Sequence, residues 1–340
     1  MRIHLCVVAA FLIMMLAGCR SETPSSPTAT ATTANDRAPA AAALRVALLH
    51  SGRENDRGWN QLAYESLMEL GKTPGVSVKH AFSPDPSRIK SDIRAFAQQD
   101  YALVICHGSE FVKAARQVAP DFPNTRFVVT GSAEAGDGVA TLDFRLWEAT
   151  YLCGMLGAAL APDGPAGLIG AVDAHTVRNT LDAFANGARA MKPGYVTYAQ
   201  YVGNWEDVAK ANLTARALID GQRVRVLFQN CDAAAFGVFQ GASESKIPAF
   251  GCNGNQNREA GGFVPASAVI DMAEAFRQAV AMVRENRFEA RPIVHDLRSG
   301  GIKFVPNADW EAKWPAGTRE RIQQAEADIA AGKLDVLARP

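Results

Sequence analysis

The feature that most constrains this chain is a steady alternation of apolar, β-branched runs with polar loops and segments of helical spacing. Each apolar run is short and hydrophobic throughout, which is typical of strands buried on both faces of a sheet. We predict strands at 44–50, 76–82, 102–108, 125–131, 138–144, 166–172, 196–202, 224–230, 247–253 and 261–267. We predict helices between them, for example at 59–70, 87–99, 111–119, 178–191, 205–220 and 269–285. The alternation predicts an α/β fold in which helices cover parallel sheets.

The number of strands favours two sheets in two lobes, because about ten is high for one open sheet. Residues 46–67 and 167–188 share an order of apolar strand, polar loop and amphipathic helix, so each is predicted to open a Rossmann-like lobe. Residues 143–162, between them, are predicted to form a hinge and a helix rich in Gly and Ala. The predicted bounds are 44–142 plus about 255–292 for the first lobe, and 143–254 plus about 293–340 for the second.

The N-terminal residues predict export. Residues 1–18 combine a basic start with an apolar run too short for a membrane span, as in a signal peptide. The sequence LAGC ending at Cys19 resembles a bacterial lipobox, which implies cleavage before Cys19 and a lipid on its sulfur; an ordinary signal peptide cut near Ala17 is the alternative. Residues 19–43, rich in Ser, Thr, Pro and Ala, predict a disordered tether. We expect a protein lipid-anchored to the bacterial cell membrane or the outer membrane, facing the periplasm or the exterior.

The charge balance argues against nucleic acid as a partner. Lys plus Arg and Asp plus Glu each number 35, so the formal net charge is zero. The sequence has no basic stripe and no acidic tail, whereas nucleic-acid-binding domains concentrate positive charge on one face. An uncharged or zwitterionic small ligand fits this composition.

The cysteines leave two arrangements open. Of six, Cys6 would be removed with the signal peptide and Cys19 would be lipidated. No CxxC pair is present, which disfavours a zinc knuckle or a redox motif. Cys231 follows the predicted strand 224–230, Cys252 follows the apolar run IPAFG at 247–251, and the two could form a disulfide in an oxidising compartment. Four unpaired buried thiols are the alternative.

The loops after the predicted strands carry the candidate binding residues. Ligands of open α/β sheets bind beyond the carboxyl ends of the strands, and in two facing lobes those loops converge on one cleft. These loops are rich in Asn, Gln, Asp and aromatic side chains and poor in Lys, which suits a flat, neutral, hydrogen-bonding ligand. The candidate ligand-binding residues are Asp56, Trp59, Asn60, Gln61, His107, Phe144, Trp205, Asp232, Asn253 and Gln256.

Structural roles are the alternative for each candidate. Trp59 and Trp205 could stack on a planar ligand or fill a hydrophobic gap at a helix start. Asp56 could cap the helix that follows it. His107 could be a hydrogen-bonded structural histidine, and the polar residues at 253–257 could serve a turn.

Motifs for catalysis and metal binding are absent from the sequence. It contains no G-x-S-x-G elbow, no G-x-x-x-x-G-K-[ST] loop and no H-E-x-x-H helix. Its histidines are scattered without ligand spacing. We therefore expect a binding protein without a cofactor or a metal; an exported α/β hydrolase is kept as an alternative.

Several short motifs along the chain match those of one protein family. The stretch 56–65, DRGWNQLAYE, is similar to D-x-[GS]-[FW]-N-Q-x-A-x-E-G. Residues 151–154 and 184–188 are similar to Y-L-A-G and F-x-x-G-A, and 236–239 and 250–256 to G-x-G-V and I-G-V-D-x-D-Q. Over about Arg45 to Asp309 the chain thereby resembles the basic membrane protein family of bacterial lipoproteins. These are substrate-binding proteins of ABC importers and include the PnrA-related purine-nucleoside receptors.

The resemblance implies the type I periplasmic-binding-protein fold, with two Rossmann-like lobes joined by three crossings. It also implies a nucleoside or nucleobase in the cleft and delivery of that ligand to an ABC permease. By the opening motif, Trp59 would stack on the base, and Asp56 and Asn60, with Gln61, would contact its polar edges. By the later motif, Asn253 and Gln256 would approach the sugar or its equivalent.

Departures from the family motifs favour a free base over a nucleoside. Asn253 and Asn255 stand where the motif has Asp, and an amide offers one acceptor in place of a carboxylate's two. The stretch 265–271 lacks the family's Lys. We expect a monomeric, lipid-anchored receptor for a purine-like ligand such as adenine. A receptor for another small neutral solute, a sugar or an amide, is the alternative on the same fold.

Overall fold

The computed structural model describes residues 43–338. The predicted signal peptide at 1–18, the lipidated Cys19 and the tether at 19–43 lie outside these residues, apart from residue 43. Within the described range, no helix is both long enough and apolar enough to cross a membrane.

Strands and helices alternate along the described residues, as the sequence predicts. The strands are β1 (Leu44–His50), β2 (Val76–Phe82), β3 (Leu103–His107), β4 (Arg126–Thr130), β5 (Val139–Phe144), β6 (Ala166–Gly170), β7 (Thr197–Tyr201), β8 (Val226–Asn230), β9 (Ala249–Asn253), β10 (Ala266–Ile270), β11 (Pro292–His295) and β12 (Ile302–Pro306). The helices are α1 (Trp59–Leu70), α2 (Ile89–Ala97), α3 (Val112–Val118), α4 (Trp147–Leu160), α5 (His175–Met191), α6 (Val208–Gln222), α7 (Ala235–Ser245), α8 (Met272–Arg284), α9 (Ala308–Glu311) and α10 (Thr318–Ala330).

Two six-stranded sheets form the centres of two lobes. The first has the order β11-β5-β4-β3-β1-β2, with every pair parallel. The second has the order β12-β10-β9-β8-β6-β7, in which β12 alone is antiparallel to its neighbour. Strands such as β3 and β8 are buried along their whole length. Helices therefore cover both faces of each sheet, and the carboxyl ends of the parallel strands carry the connecting loops.

Three crossings join the lobes: β5 to α4, β10 to α8, and β11 to β12. Two of them are tied by the buried Glu148, whose Oε2 accepts a hydrogen bond from the backbone N–H of Leu297 at 2.9 Å. The third is fixed at Asp271, which caps α8 through the N–H of Glu274 and pairs with Lys303 of β12 at 2.7 Å. Side chains at the crossings thus join segments that are distant in the sequence.

Sheet membership corrects the expected lobe bounds. The segment 255–292 was expected in the first lobe, but β10 belongs to the second sheet. The first sheet also retains β5 to Phe144 and takes β11 to His295, beyond the expected limits of 142 and 292. The strands β1 to β5 and β6 to β10 thus form two continuous runs, and β11 and β12 complete the first and the second sheet after the chain has crossed between the lobes.

The last predicted strand, 261–267, was placed too early. Residues 260–262 form a short 3-10 turn, and Pro265 has no N–H to donate to a ladder. The strand β10 therefore begins at Ala266. The strands β11 and β12 and the helices α9 and α10 were not predicted.

Close packing of α4 on α5 explains two of the glycine-containing motifs. A Cβ atom at Gly154 of α4 would lie 2.0 Å from the carbonyl oxygen of Phe184, and one at Gly187 of α5 would lie 1.9 Å from that of Tyr151. Such distances are impossible for real atoms, so the two backbones meet only because glycine stands at both positions. The small residues of α4 therefore serve helix packing inside the second lobe.

The four cysteines of the described residues are free and buried. Cys231 donates a weak hydrogen bond to the carbonyl of Ile169 at 3.3 Å, and Cys252 approaches Asn253 Oδ1 at 4.0 Å. The disulfide considered for Cys231 and Cys252 is not present, and both thiols behave as small core side chains.

Candidate functional site

A cavity of about 550 Å³ lies between the carboxyl ends of the two sheets. Its aromatic wall comprises Trp59 and Phe144 of the first lobe, Trp147 at a crossing and Trp205 of the second lobe. Its other lining residues stand at strand ends, in the loops that follow the strands, at the crossing after β5, or in the first turns of α1 and α5. A cavity of this size, lined by rings and a few polar groups, suits a small organic ligand.

One carboxylate organises the loop between β1 and α1. Asp56 Oδ1 accepts hydrogen bonds from the backbone N–H groups of Gly58 at 2.8 Å and Gln61 at 2.9 Å. Its Oδ2 accepts from the backbone N–H of Asn60 at 3.0 Å and from Asn60 Nδ2 at 2.8 Å. Asn60 Oδ1 accepts from the N–H of Gly52 at 3.2 Å. The acceptor sites of Asp56 are thus occupied within the loop, and they satisfy first-turn N–H groups of α1.

The indole of Trp59 is supported from behind by a buried histidine. The ring of His107 stacks on it, with centroids 4.1 Å apart and planes at 23°. Phe144 meets the indole edge-on, with centroids 5.9 Å apart and planes at 82°. Trp59 is half-buried and lines the cavity, so the face opposite His107 is the one left to the cavity.

A hydrogen-bond chain fixes the protonation of His107. Its Nε2 lies 3.0 Å from the carbonyl oxygen of Trp59, which can only accept, so Nε2 carries the proton. Its Nδ1 then accepts from the hydroxyl of Thr130 at 2.8 Å, and that hydroxyl oxygen accepts from the N–H of Gly108 at 3.1 Å. Burial lowers the pKa of His107 to about 3, so the ring is neutral. His107 is a positioning residue for Trp59.

The polar wall of the second lobe centres on Asp232. Its Oδ1 accepts hydrogen bonds from the backbone N–H of Trp59 and from Asn253 Nδ2, both at 3.1 Å. Burial, with the Asp56 carboxylate nearby, raises the pKa of Asp232 to about 7, although both hydrogen bonds favour the ionised form. The backbone of Asp232 has φ of 46°, a left-handed conformation that Asp tolerates better than most residues.

Contacts between the β1–α1 loop and the second lobe hold the two lobes together. The N–H of Trp59 reaches Asp232, and Gln256 Nε2 donates to the carbonyl of Arg57 at 3.3 Å. The guanidinium of Arg57 lies over the ring of Phe236, 4.5 Å from its centroid. The lobes therefore stand in a closed arrangement around the cavity.

Most of the candidate residues line this cavity. Those that do are Asp56, Trp59, Asn60, Phe144, Trp205, Asp232 and Asn253. Trp205 precedes α6 rather than opening it, because Asn204 Oδ1 accepts from the N–H groups of Glu206 and Asp207 and so holds residues 204–207 in a turn.

Three candidates, Gln61, His107 and Gln256, are not among the residues that line the cavity. Gln61 accepts from the N–H of Arg57 at 3.0 Å and donates to Glu65 at 2.7 Å. His107 lies beneath Trp59. The side-chain oxygen of Gln256 accepts from the N–H of Cys252 at 2.9 Å. This contact supports the turn between them, which is the structural role considered for residues 253–257.

Other lining residues were not among the candidates. Arg53, Glu110 and Glu206 bring charge to the cavity, and Asn230 brings a buried amide. Each stands at the end of a strand or in the loop that follows it, which is the signal that sequence reasoning could have used for all of them.

Comparison with known proteins identifies the family. The family model for PnrA-like ABC transporter substrate-binding proteins, named Bmp, matches residues 43–329. The chain belongs to the Bmp family. The sequence-based assignment to this family is therefore confirmed. Members of the family are substrate-binding proteins of ABC transporters, which bind small molecules and act with a permease.

Relatives and solved structures agree with this assignment. A purine-binding protein of Brucella abortus is 24% identical over 300 residues, covering 87% of this chain and 84% of its own. The nucleoside-binding protein BmpA of Lactococcus lactis is 24% identical over 354 residues, covering 97% and 96%. A solute-binding protein of an ABC transporter from Aeropyrum pernix has a TM-score of 0.77 at 18% identity, covering 86% and 92%. The predicted periplasmic-binding-protein fold is thus confirmed.

Proposed function

We propose that this Bmp-family protein binds a purine base, or a nucleoside-like small molecule, in the interlobe cavity and delivers it to an ABC permease. The observation that carries the proposal is the indole of Trp59, supported by His107 on one face and lining the cavity with the other. Rings at a cavity wall suit a flat heterocycle. The names of the relatives from Brucella abortus and Lactococcus lactis, purine-binding and nucleoside-binding, support the same ligand class.

A free base fits the polar wall better than a nucleoside does. Asn253 stands where the family motif has Asp, and its Nδ2 is engaged with Asp232. One amide oxygen lacks the second oxygen with which a carboxylate accepts from the two hydroxyls of a ribose side by side. We therefore propose adenine, or a closely similar base, as the ligand.

Closure of the lobes is the proposed binding step. A ligand that contacts both walls favours the closed arrangement, because it binds that arrangement more tightly than an open one. The contacts of Arg57 and Trp59 with the second lobe would form in the same movement. No step of this mechanism involves a chemical change in the ligand, so we propose binding without catalysis by a monomeric protein.

Anchoring through Cys19 is proposed from the lipobox-like sequence alone. Metabolic labelling with an alkyne fatty acid tests it: label is expected on the wild-type protein and absent from Cys19→Ser. Equal labelling of the two proteins would contradict the anchor and leave ligand binding unaffected.

Mass spectrometry of the small molecule retained by natively purified protein tests the ligand class. We expect a purine released on denaturation, in an amount close to that of the protein. Release of a sugar would instead support the alternative receptor. Incubation with adenosine separates binding from hydrolysis, since release of free adenine at catalytic protein concentration would overturn the assignment as a receptor.

A further inference from the structure

We propose that Asn230, Asp232 and Asn253, here called the acceptor wall, select ligands that present N–H donors, and that Asp232 couples this selection to lobe closure. This inference rests on the proposed purine-binding function and specifies which edge of the ligand the second lobe reads. It follows from which polar atoms of the cavity are already hydrogen-bonded and which are not.

The orientation of Asn230 is set by its partner. The hydroxyl of Thr180 donates to the carbonyl of Val177 at 2.7 Å, so its oxygen accepts from Asn230 Nδ2 at 3.1 Å. The amide donors of Asn230 therefore point to Thr180. Its Oδ1 has no hydrogen bond to any residue in the range 43–338. Asn230 thus offers an acceptor to the cavity that it lines.

Asp232 orients Asn253 in the same way. An ionised carboxylate only accepts, so the amide of Asn253 turns Nδ2 to Asp232 Oδ1 and leaves Oδ1 beside the Cys252 thiol. Asp232 Oδ2 has no protein donor among the residues described. Among the described residues, Asn230 Oδ1 and Asp232 Oδ2 therefore have no protein donor, and Asn253 Oδ1 has only the weak contact with the Cys252 thiol at 4.0 Å. The amide nitrogens of Asn230 and Asn253 each donate to a protein oxygen instead.

Asp56 and Asn60 of the first-lobe wall do not compensate for this excess of acceptors. All acceptor sites of Asp56 and the side-chain atoms of Asn60 are engaged within their own loop. Beside them the first lobe contributes the rings of Trp59 and Phe144, and the loops after β1 and β3 add the charged side chains of Arg53 and Glu110. A ligand ring stacked on Trp59 would consequently direct an N–H-bearing edge to the acceptor wall, since a carbonyl there would face three oxygen atoms.

Asp232 links this recognition to closure because its two oxygens serve different partners. Oδ1 accepts the N–H of Trp59, which belongs to the other lobe, and Oδ2 is left for the ligand. A ligand N–H on Oδ2 stabilises the carboxylate, and an ionised acceptor strengthens its bond to Trp59. A ligand without that donor loses both effects.

Calorimetric titration with adenine and two donor-deleted analogues tests the inference. In 6-methylpurine a methyl group replaces the amino group, and in 9-methyladenine it replaces a ring N–H. On the wild-type protein, the analogue that lacks the donor facing the wall should bind about tenfold or more weakly than adenine, as expected for the loss of a hydrogen bond to a charged group. On Asp232→Asn, adenine should bind about tenfold more weakly, and that analogue should differ from adenine by less than about threefold.

The control variant Asp163→Asn removes the same charge at a fully exposed side chain away from the cavity and should bind adenine as the wild type does. Wild-type protein that binds adenine and both analogues equally would overturn the inference, whether or not Asp232→Asn folds. Equal adenine affinity of wild type and Asp232→Asn would also overturn it. Folded wild-type protein that binds no purine at all would instead overturn the proposed function.

Discussion

The backbone N–H of Trp59 donates to Asp232 Oδ1 at 3.1 Å, although the two residues lie 173 positions apart and belong to different lobes. The same Trp59 carries the indole that faces the cavity, and the Oδ2 of the same Asp232 has no donor within residues 43–338. Ligand recognition and lobe contact are therefore built on one pair of residues, and changes at either should affect both.

Gly58 should be required for closure. It lies against Asp232, and a Cβ atom there would be 2.6 Å from Asp232 Oδ1 and 2.8 Å from its Cα. Because the clash is between lobes, Gly58→Ala should fold but close incompletely. An overpacking cost of about 1–3 kcal/mol corresponds to adenine affinity about 5- to 150-fold weaker by calorimetry.

Gly254→Ala is the matched control for this change, since nothing lies within 4 Å of the added methyl group. It should bind adenine as the wild type does. If Gly58→Ala also kept wild-type affinity, closure of this loop onto Asp232 would not be part of binding.

The pH dependence of stability should report on Asp232. Its folded pKa of about 7 lies above the usual value of 3.8, chiefly through burial and then through the carboxylate of Asp56. The neighbouring thiols of Cys231 and Cys252 have raised pKa values and stay protonated. Between pH 4 and 7 the folded state retains a proton that the unfolded state has lost, so the stabilisation present at low pH disappears as the pH rises.

Urea unfolding of wild type and Asp232→Asn at several pH values measures this effect. The variant cannot titrate at this position, so its free energy of unfolding should increase relative to the wild type as the pH rises from about 4 to about 7. A difference that stays constant over this interval would show that the carboxyl group of Asp232 does not titrate there.

The contact of α4 with α5 should be intolerant of a single methyl group. Gly187→Ala would place a Cβ atom 1.9 Å from the carbonyl oxygen of Tyr151, so the helices must separate. We expect a loss of about 1–3 kcal/mol in the free energy of unfolding, measured in urea.

The exposed Gly221 near the end of α6 provides the contrast, because nothing lies within 4 Å of an added Cβ atom. Gly221→Ala should stabilise the protein by about 0.5–1 kcal/mol through helix propensity. Equal effects of the two substitutions would contradict the packing explanation for the motif that contains Gly187.

The sequence predicted the elements whose pattern is local. The strands β1 and β2 have the predicted bounds, because their apolar runs end at clear polar loops. The strand β11 was missed because it is four residues long and only His295 within it is fully buried. The place of β10 in the second sheet was missed because the crossing to the first lobe follows β10 and does not precede it.

At the candidate site, too, the sequence predicted what depends on position in the chain and missed what depends on three-dimensional contacts. Residues that follow strand ends were selected as candidates, and several of them, including Trp59 and Asp232, line the cavity. Position in the chain could not show that Asp56 uses its acceptor sites within its own loop, or that His107 lies behind Trp59. Those outcomes depend on the direction of individual side chains, which residue type and spacing leave open. Direct ligand contact by the residues that line the cavity stays a prediction.

Calorimetric titration of adenine into protein that has been unfolded, freed of retained ligand and refolded is the most direct measurement of the proposed site. Stacking on one ring is worth about 1–3 kcal/mol per base, so Trp59→Ala should bind adenine about 5- to 150-fold more weakly than the wild type. Trp59→Phe, which keeps an aromatic face, should retain most of the affinity. Equal adenine affinity of the wild type and Trp59→Ala would place the purine site elsewhere and contradict the proposal.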